Sequence, residues 1–241
     1  MRMRTSERSR RVWAHRAVAG CALAVVAAAC SVTQQVKPKD AATCPFLGNN
    51  VCAMLTPGGK GEAGMRYINS NAHWSQYNKI IIDPVTFWAG DTTKVSAADQ
   101  QALANYLYQA LQNQVGKKFQ IVDQPGPGVM RLQVALIDAE TATPVLRSVS
   151  MAIPQARVLA TLKYIATGTY SFVGGAEAEA RVIDAVSGRL LAAVDDRRVG
   201  GGSIQTAAQW QWGDAENVAD HWAEQTANRL YAFTSGTATP Q

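Results

Sequence analysis

The sequence predicts an α+β domain, a mostly antiparallel sheet packed by two main helices as a two-layer sandwich. Three observations carry this. Residues 96–116 hold a capped stretch with helical spacing, residues 215–233 hold a second one, and the chain around them alternates in strand-like runs. The order strand, helix, several strands, helix matches an α+β rather than an alternating α/β architecture.

The first strand is Lys79–Trp88, KIIIDPVTFW, rich in β-branched and aromatic residues. Pro84 has no N–H to give a ladder, so it predicts an edge or a bulge there. Ser96 then stands three residues before Asp99, the spacing of a capping box with Asp in place of Glu. Leu103, Leu107, Ala110 and Leu111 follow on one helical face, and Gly116 supplies a stop. Phe119–Asp123 reads as a short strand, and PGPG at 125–128 reads as a turn.

Val129–Asp138 alternates, with Met130, Leu132, Val134 and Leu136 on one face and Arg131 and Gln133 on the other. Arg157–Ala166 allows a short helix, although Pro144 and Pro154 break the chain before it. Thr169–Ala185 puts Ala176, Ala178, Ala180 and Val182 on one face, and Glu177, Glu179 and Arg181 on the other. Ser187-Gly188 marks a turn into a partner strand, Arg189–Val199. The last helix, about Ala215–Phe233, has Asp214 as its expected N-cap and a stripe of Val218, Trp222, Thr226, Leu230 and Phe233.

The N-terminus reads as an export signal. Residues 1–29 combine six Arg, an uncharged run from Ala17 to Ala29, and the small triplet Ala27-Ala28-Ala29 before Cys30. That run is too short to span a bilayer, which takes about 20 apolar residues. The triplet and cysteine resemble a bacterial lipoprotein signal, which implies cleavage before Cys30 and an acylated thioether on it. Cys21 follows a similar Val18-Ala19-Gly20, but only four apolar residues separate it from Arg16. By the sorting pattern that this resemblance implies, Ser31 rather than Asp behind Cys30 points to the inner leaflet of the outer membrane, facing the periplasm. Ser9-Arg10-Arg11 also resembles a twin-arginine signal, though Arg is common in any such region.

Removing that segment changes the charge. The chain has 23 basic and 18 acidic residues, but beyond residue 29 the counts are 17 and 17. The basic excess belongs to the signal, so a nucleic-acid footprint is not expected. Cys44 and Cys52 remain as an even pair around the turn-rich PFLGNNV, and a disulfide between them is expected in an oxidising compartment. Residues 30–78 read as a tether carrying that disulfide loop, 79–233 as one periplasmic domain, and 234–241 as a flexible tail.

IIIDPVTFWAGD, VDQPGPGVMRLQVAL and RRVGGGSIQTAAQWQWGDAENVADHWAEQ resemble a family of bacterial lipoproteins, domain of unknown function 3313. The resemblance covers most of residues 77–232 and implies an exported lipoprotein, with no catalytic residues to carry over. The element order is also similar, at fold level only, to small envelope lipoproteins of the curli-secretion and penicillin-binding-protein-activator kind.

Chemistry is sparse. Gly200-Gly201-Gly202 lacks the Gly-Lys-Ser/Thr of a P-loop and reads as a flexible strand exit. No Gly-x-Ser-x-Gly is present, and His73 and His221 are too few for a metal site, so no metal or cofactor is expected. Glu177 and Glu179 project to one strand face about 6.5–7 Å apart, within the carboxylate separation of inverting glycosidases. Asp195-Asp196-Arg197-Arg198 reads as solvated ion pairs. Trp210 and Trp212 either cover the core or form a docking patch for a protein or glycan.

The resulting expectation is a non-enzymatic envelope lipoprotein, held to the membrane by its lipid, that binds or scaffolds an envelope protein or glycan. Two alternatives stay open. One is a hydrolase using the Glu177/Glu179 face, and the other is a carrier of a small apolar ligand in a pocket between helix and sheet.

Overall fold

A computed structural model describes residues 33–38, 43–88, 93–141, 174–200 and 212–240. All belong to one compact unit, Val32–Gln241, with its own core.

The strands are β1 (Thr33–Val36), β2 (Thr56–Pro57), β3 (Met65–Ile68), β4 (Lys79–Ile82), β5 (Thr86–Phe87), β6 (Gln120–Ile121), β7 (Val129–Glu140), β8 (Gly175–Asp184) and β9 (Leu190–Gly200). The helices are α1 (Asn49–Cys52), α2 (Ala97–Val115) and α3 (Gly213–Thr234). The strands form one open sheet in the order β2-β3-β9-β8-β7-β4-β6, with β1 also on β9 and β5 on β7.

The local readings of the long elements hold. Ser96 caps α2, its Oγ accepting from the N–H of Asp99 at 3.2 Å, and Leu103, Leu107, Ala110 and Leu111 are buried. The first strand breaks at Pro84 into β4 and β5. The β8–β9 turn is built on Asp184, whose Oδ1 accepts from the N–H groups of Val186 and Ser187 at 3.1 and 2.7 Å. Gly188 closes it at φ 71°, where a side chain would be strained. Arg157–Ala166 lies outside the described residues.

Four expectations are corrected. The sheet is mixed rather than mostly antiparallel, because β4 runs parallel to both β6 and β7, and β5 parallel to β7. The chain leaves β4, passes through α2 and returns beside β4 as β6, and a helical crossover delivers a parallel strand. The tether is also overturned, since most of it is folded. β3 pairs with β9 over Ala192–Asp195, and β1 over Arg197–Gly200. The outer edge of an 11-residue strand would otherwise expose unpaired backbone groups.

The third correction concerns Asp214, which is not the cap. Trp212 occupies that position, and Asp214 sits fully buried in the first turn, accepting the Gly174 N–H at 2.8 Å. Gly200 packs so closely on this carboxylate that a Cβ would overlap it, so this glycine serves a close approach.

The fourth concerns the layers. Alternation along β8 and β9 sends Ala176, Ala178, Val182 and Ala192 to one core with α2 and α3. The opposite face carries the segment of Cys44, Leu47, Val51 and Leu55, packed on Ala193 and Leu190. The Cys44–Cys52 disulfide closes that segment, with a Cα separation of 5.6 Å. Phe46 meets Trp88 edge-on at 5.6 Å and lies under the Arg181 guanidinium at 5.3 Å. Both faces of this part of the sheet are therefore covered, where two layers were expected.

Candidate functional site

Small residues leave space between the helices and the sheet. Ala178 and Ala180 of β8 and Ala192 of β9 form a floor with Leu132 and Val134 of β7. Leu107 and Leu111 of α2, and Trp222, Leu230 and Phe233 of α3, stand over it as walls. Alanine methyls cannot reach helices propped apart by Trp and Phe, so a cavity of about 130 Å³ remains. An apolar cavity of roughly 150 Å³ stays dry and accepts a benzene-sized solute.

Of the charged residues in the lining, Glu62, Arg66, Arg181 and Arg229 are half-buried and Asp196 is buried. Glu62 bridges Arg66 at 2.7 Å and Arg229 at 3.5 Å. Its carboxylate also accepts the Gly59 N–H at 2.8 Å. That backbone bond, against the opposing effect of burial and with both guanidiniums, holds the Glu62 carboxyl below its ordinary range. The Gly61 carbonyl accepts from Gln225 Nε2 at 2.7 Å and Arg229 Nη2 at 3.1 Å, fastening the β2–β3 loop to α3 beside the cavity.

Asp196 lies at the inner end of this arrangement. Its carboxylate accepts from Gln35 Nε2 at 2.7 Å, the Gly64 N–H at 2.8 Å and Trp222 Nε1 at 2.7 Å. Arg198 Nη1 stands 3.6 Å away, and its Nε donates to Thr33 Oγ1 at 3.0 Å. One buried acid thus joins β1, the β2–β3 loop and α3 to β9. Asp195, Asp196, Arg197 and Arg198 are all buried, which corrects the expectation of solvated pairs: β1, β3, α3 and the disulfide segment exclude water from both sides of β9.

The acid pair changes character for the same reason. Glu177 and Glu179 are 5% and 1% exposed, so a glycan cannot reach them as folded. Glu179 Oε2 accepts the N–H groups of Phe46 and Leu47 at 3.0 and 2.7 Å, seating the disulfide segment on the sheet. Burial pushes the Glu179 carboxyl up despite those bonds. Asp195, opposite Glu179 in the ladder, is pushed up to about 8 by burial, with Glu177, Glu179 and Asp196 adding to it. Glu177 stands 3.8 Å from Arg197, which reaches Glu140 at 2.9 Å.

Of the two readings of Trp212, core cover is the one seen. It is 3% exposed within the main core, which corrects its place in a docking patch. Trp210 and the lipidation candidate Cys30 lie outside the described residues. His73 is exposed, His221 half-buried, and no metal-holding cluster occurs among the described residues.

The rim residues Glu62, Arg66, Gln225 and Arg229 were not singled out by sequence. The Ala176-Ala178-Ala180 stripe on one face of the strand is the sequence signal for such a gap.

No curated protein matches the chain. Solved structures resemble it at low identity. A point variant of the PelC dodecamer from Paraburkholderia phytofirmans is 11% identical, over 67% of this chain and 96% of that one, with a TM-score of 0.34. A DUF330 protein from Xanthomonas campestris is 13% identical over 71% and 93%, with a TM-score of 0.36. A hypothetical protein of Chlamydia trachomatis is 8% identical over 66% and 99%, also at 0.36. The family described as protein of unknown function DUF3313 matches residues 45–226, more than half of the sequence, and the chain belongs to that family.

Proposed function

We propose that the protein is a lipid-anchored envelope protein whose domain, without catalysing a reaction, holds a small apolar ligand between α2, α3 and the sheet. The cavity carries this reading. It is apolar inside, and Ala180 is only half-buried on its floor while Ala178 and Val182, on the same face of β8, are buried. We read the helices and the sheet as the two working layers, with the disulfide segment as a brace behind them.

The anchor rests on the signal and Cys30. The described sheet begins at Thr33, close behind Cys30 in sequence. Intact mass of protein extracted from membranes tests the anchor, a chain starting at Cys30 with acyl mass being the expected result. An unmodified soluble chain would remove the anchor and leave the carrier.

The carrier is tested by calorimetric titration of the Val32–Gln241 unit with 1-octanol, alongside Ala180→Phe. Saturable binding that Ala180→Phe abolishes is expected, because the added ring occupies the floor. No saturable binding by the unaltered unit would overturn the reading. Scaffolding of an envelope protein or glycan remains the second reading, supported by the anchor but with only Trp210 left of its proposed patch.

A further inference from the structure

We infer that the ligand of this cavity is a short amphiphile with a single carboxylate, its apolar end in the cavity and its head on Arg229; this rests on the carrier reading. Three observations lead there.

The first is size. The volume suits a chain of about six to eight carbons or one aromatic ring, by comparison with a benzene-holding cavity. The second is segregation of the lining. Apart from Thr226, Asp196 and Arg181, whose guanidinium lies over Phe46 on the other face of the sheet, the floor and walls are aliphatic and aromatic, whereas Glu62, Arg66, Gln225 and Arg229 gather where the lining meets solvent. A ligand apolar at both ends would strip water from these charges without replacing it. Asp196, the buried acid of the lining, already accepts three hydrogen bonds and faces Arg198, so it favours no further donor.

The third is the state of Arg229. Its side chain is 43% exposed, and its polar contacts among the described residues are the Gly61 carbonyl at 3.1 Å and one long approach to Glu62 at 3.5 Å. A guanidinium has five N–H donors in a plane that matches a carboxylate two bonds at a time. Donors therefore remain for a head group beside the cavity. The neighbouring Glu62 stays ionised, held so by the Gly59 N–H and the two guanidiniums, and its charge disfavours a doubly charged head such as a phosphate monoester. One negative charge balances this rim.

The experiment compares octanoate with 1-octanol on the Val32–Gln241 unit at pH 7. Octanol is the more apolar of the two, so a purely hydrophobic site prefers it. The inference expects octanoate to bind at least about fivefold tighter. That preference should fall severalfold in 0.5 M salt, since exposed charges are screened. Arg229→Gln should erase the preference while leaving octanol affinity within twofold, and Arg229→Lys should restore part of it. Octanol binding as tightly as octanoate, or a preference that survives Arg229→Gln, overturns the head-group assignment while the carrier stands. Failure of both ligands to bind overturns the carrier and this inference with it.

Discussion

Replacing Asp196 by Asn keeps the shape of the side chain and removes its charge. Three N–H donors converge on this carboxylate within 2.8 Å, from β1, the β2–β3 loop and α3. Hydrogen bonds to a charged group contribute about 1.5–3 kcal/mol each. They are not additive here. Gln35 also donates to the Glu62 carbonyl at 2.8 Å, and the Gly64 region is only partly buried, so water can satisfy both. Trp222 Nε1 and the Arg198 guanidinium are buried and have less recourse.

Leaving one partner of a buried pair costs about 3–5 kcal/mol. Asn still accepts one or two of the bonds, so a loss of about 3 kcal/mol is expected. With a urea dependence of about 2 kcal/mol per molar, the midpoint falls by about 1.5 M. Urea unfolding of the Val32–Gln241 unit, followed by far-UV dichroism, reads this directly. Val186→Ala, at a side chain that is 68% exposed, is the reference and should stay within about 0.5 kcal/mol. A loss below about 1 kcal/mol for Asp196→Asn would refute the view that this acid joins the three elements.

Two further predictions follow from the other face. Asp195 binds a proton in the fold up to about pH 8, whereas its ordinary value is 3.8. The folded state thus holds the extra proton between those values, so its contribution is full below the lower one and is lost as pH rises to the upper. Asp195→Asn should flatten the decline in urea stability between pH 5 and 8 by a few kcal/mol, each tenfold in proton affinity being about 1.4 kcal/mol; parallel curves for the two proteins would contradict it. The Cys44–Cys52 link closes a short loop and should contribute about 2–3 kcal/mol. Cys44→Ser/Cys52→Ser should lower stability by that amount and speed amide exchange at Phe46 and Leu47, which the Glu179 carboxylate holds; unchanged exchange would mean that Glu179 seats the segment without the disulfide.

Much of the fold was legible in sequence because its causes are local. The Ser96 cap reaches only to Asp99, and the Asp184 turn only to Ser187. The faces of β7 and β8 follow from alternation at every second residue. The pairing of Cys44 with Cys52 was legible as an even pair around a short turn-rich loop. Asp214 shows the boundary of such reasoning: Asp suits an N-cap, but the helix starts earlier because this acid is needed for the Gly174 N–H across the core.

What only the tertiary structure decided depends on residues far apart. Gln35 and Asp196 meet across 161 positions, and Glu179 meets Leu47 across 132. Polar segments such as TQQV carry no periodic signal, yet they become strands because β9 has an edge to cover. The same covering buries Glu177, Glu179 and Asp195–Arg198, whose composition alone reads as solvent-facing. The cavity has the same origin. Alanines on a strand predict a core face, but whether the space above them is filled depends on how far Trp222 and Phe233 hold the helices away. Sequence by itself determined the long helices and strands, since caps, turn residues and side-chain periodicity within a few residues specify them. Only packing decided which surfaces stayed dry, which charges were enclosed and where a cavity remained, because burial belongs to the neighbours a residue acquires.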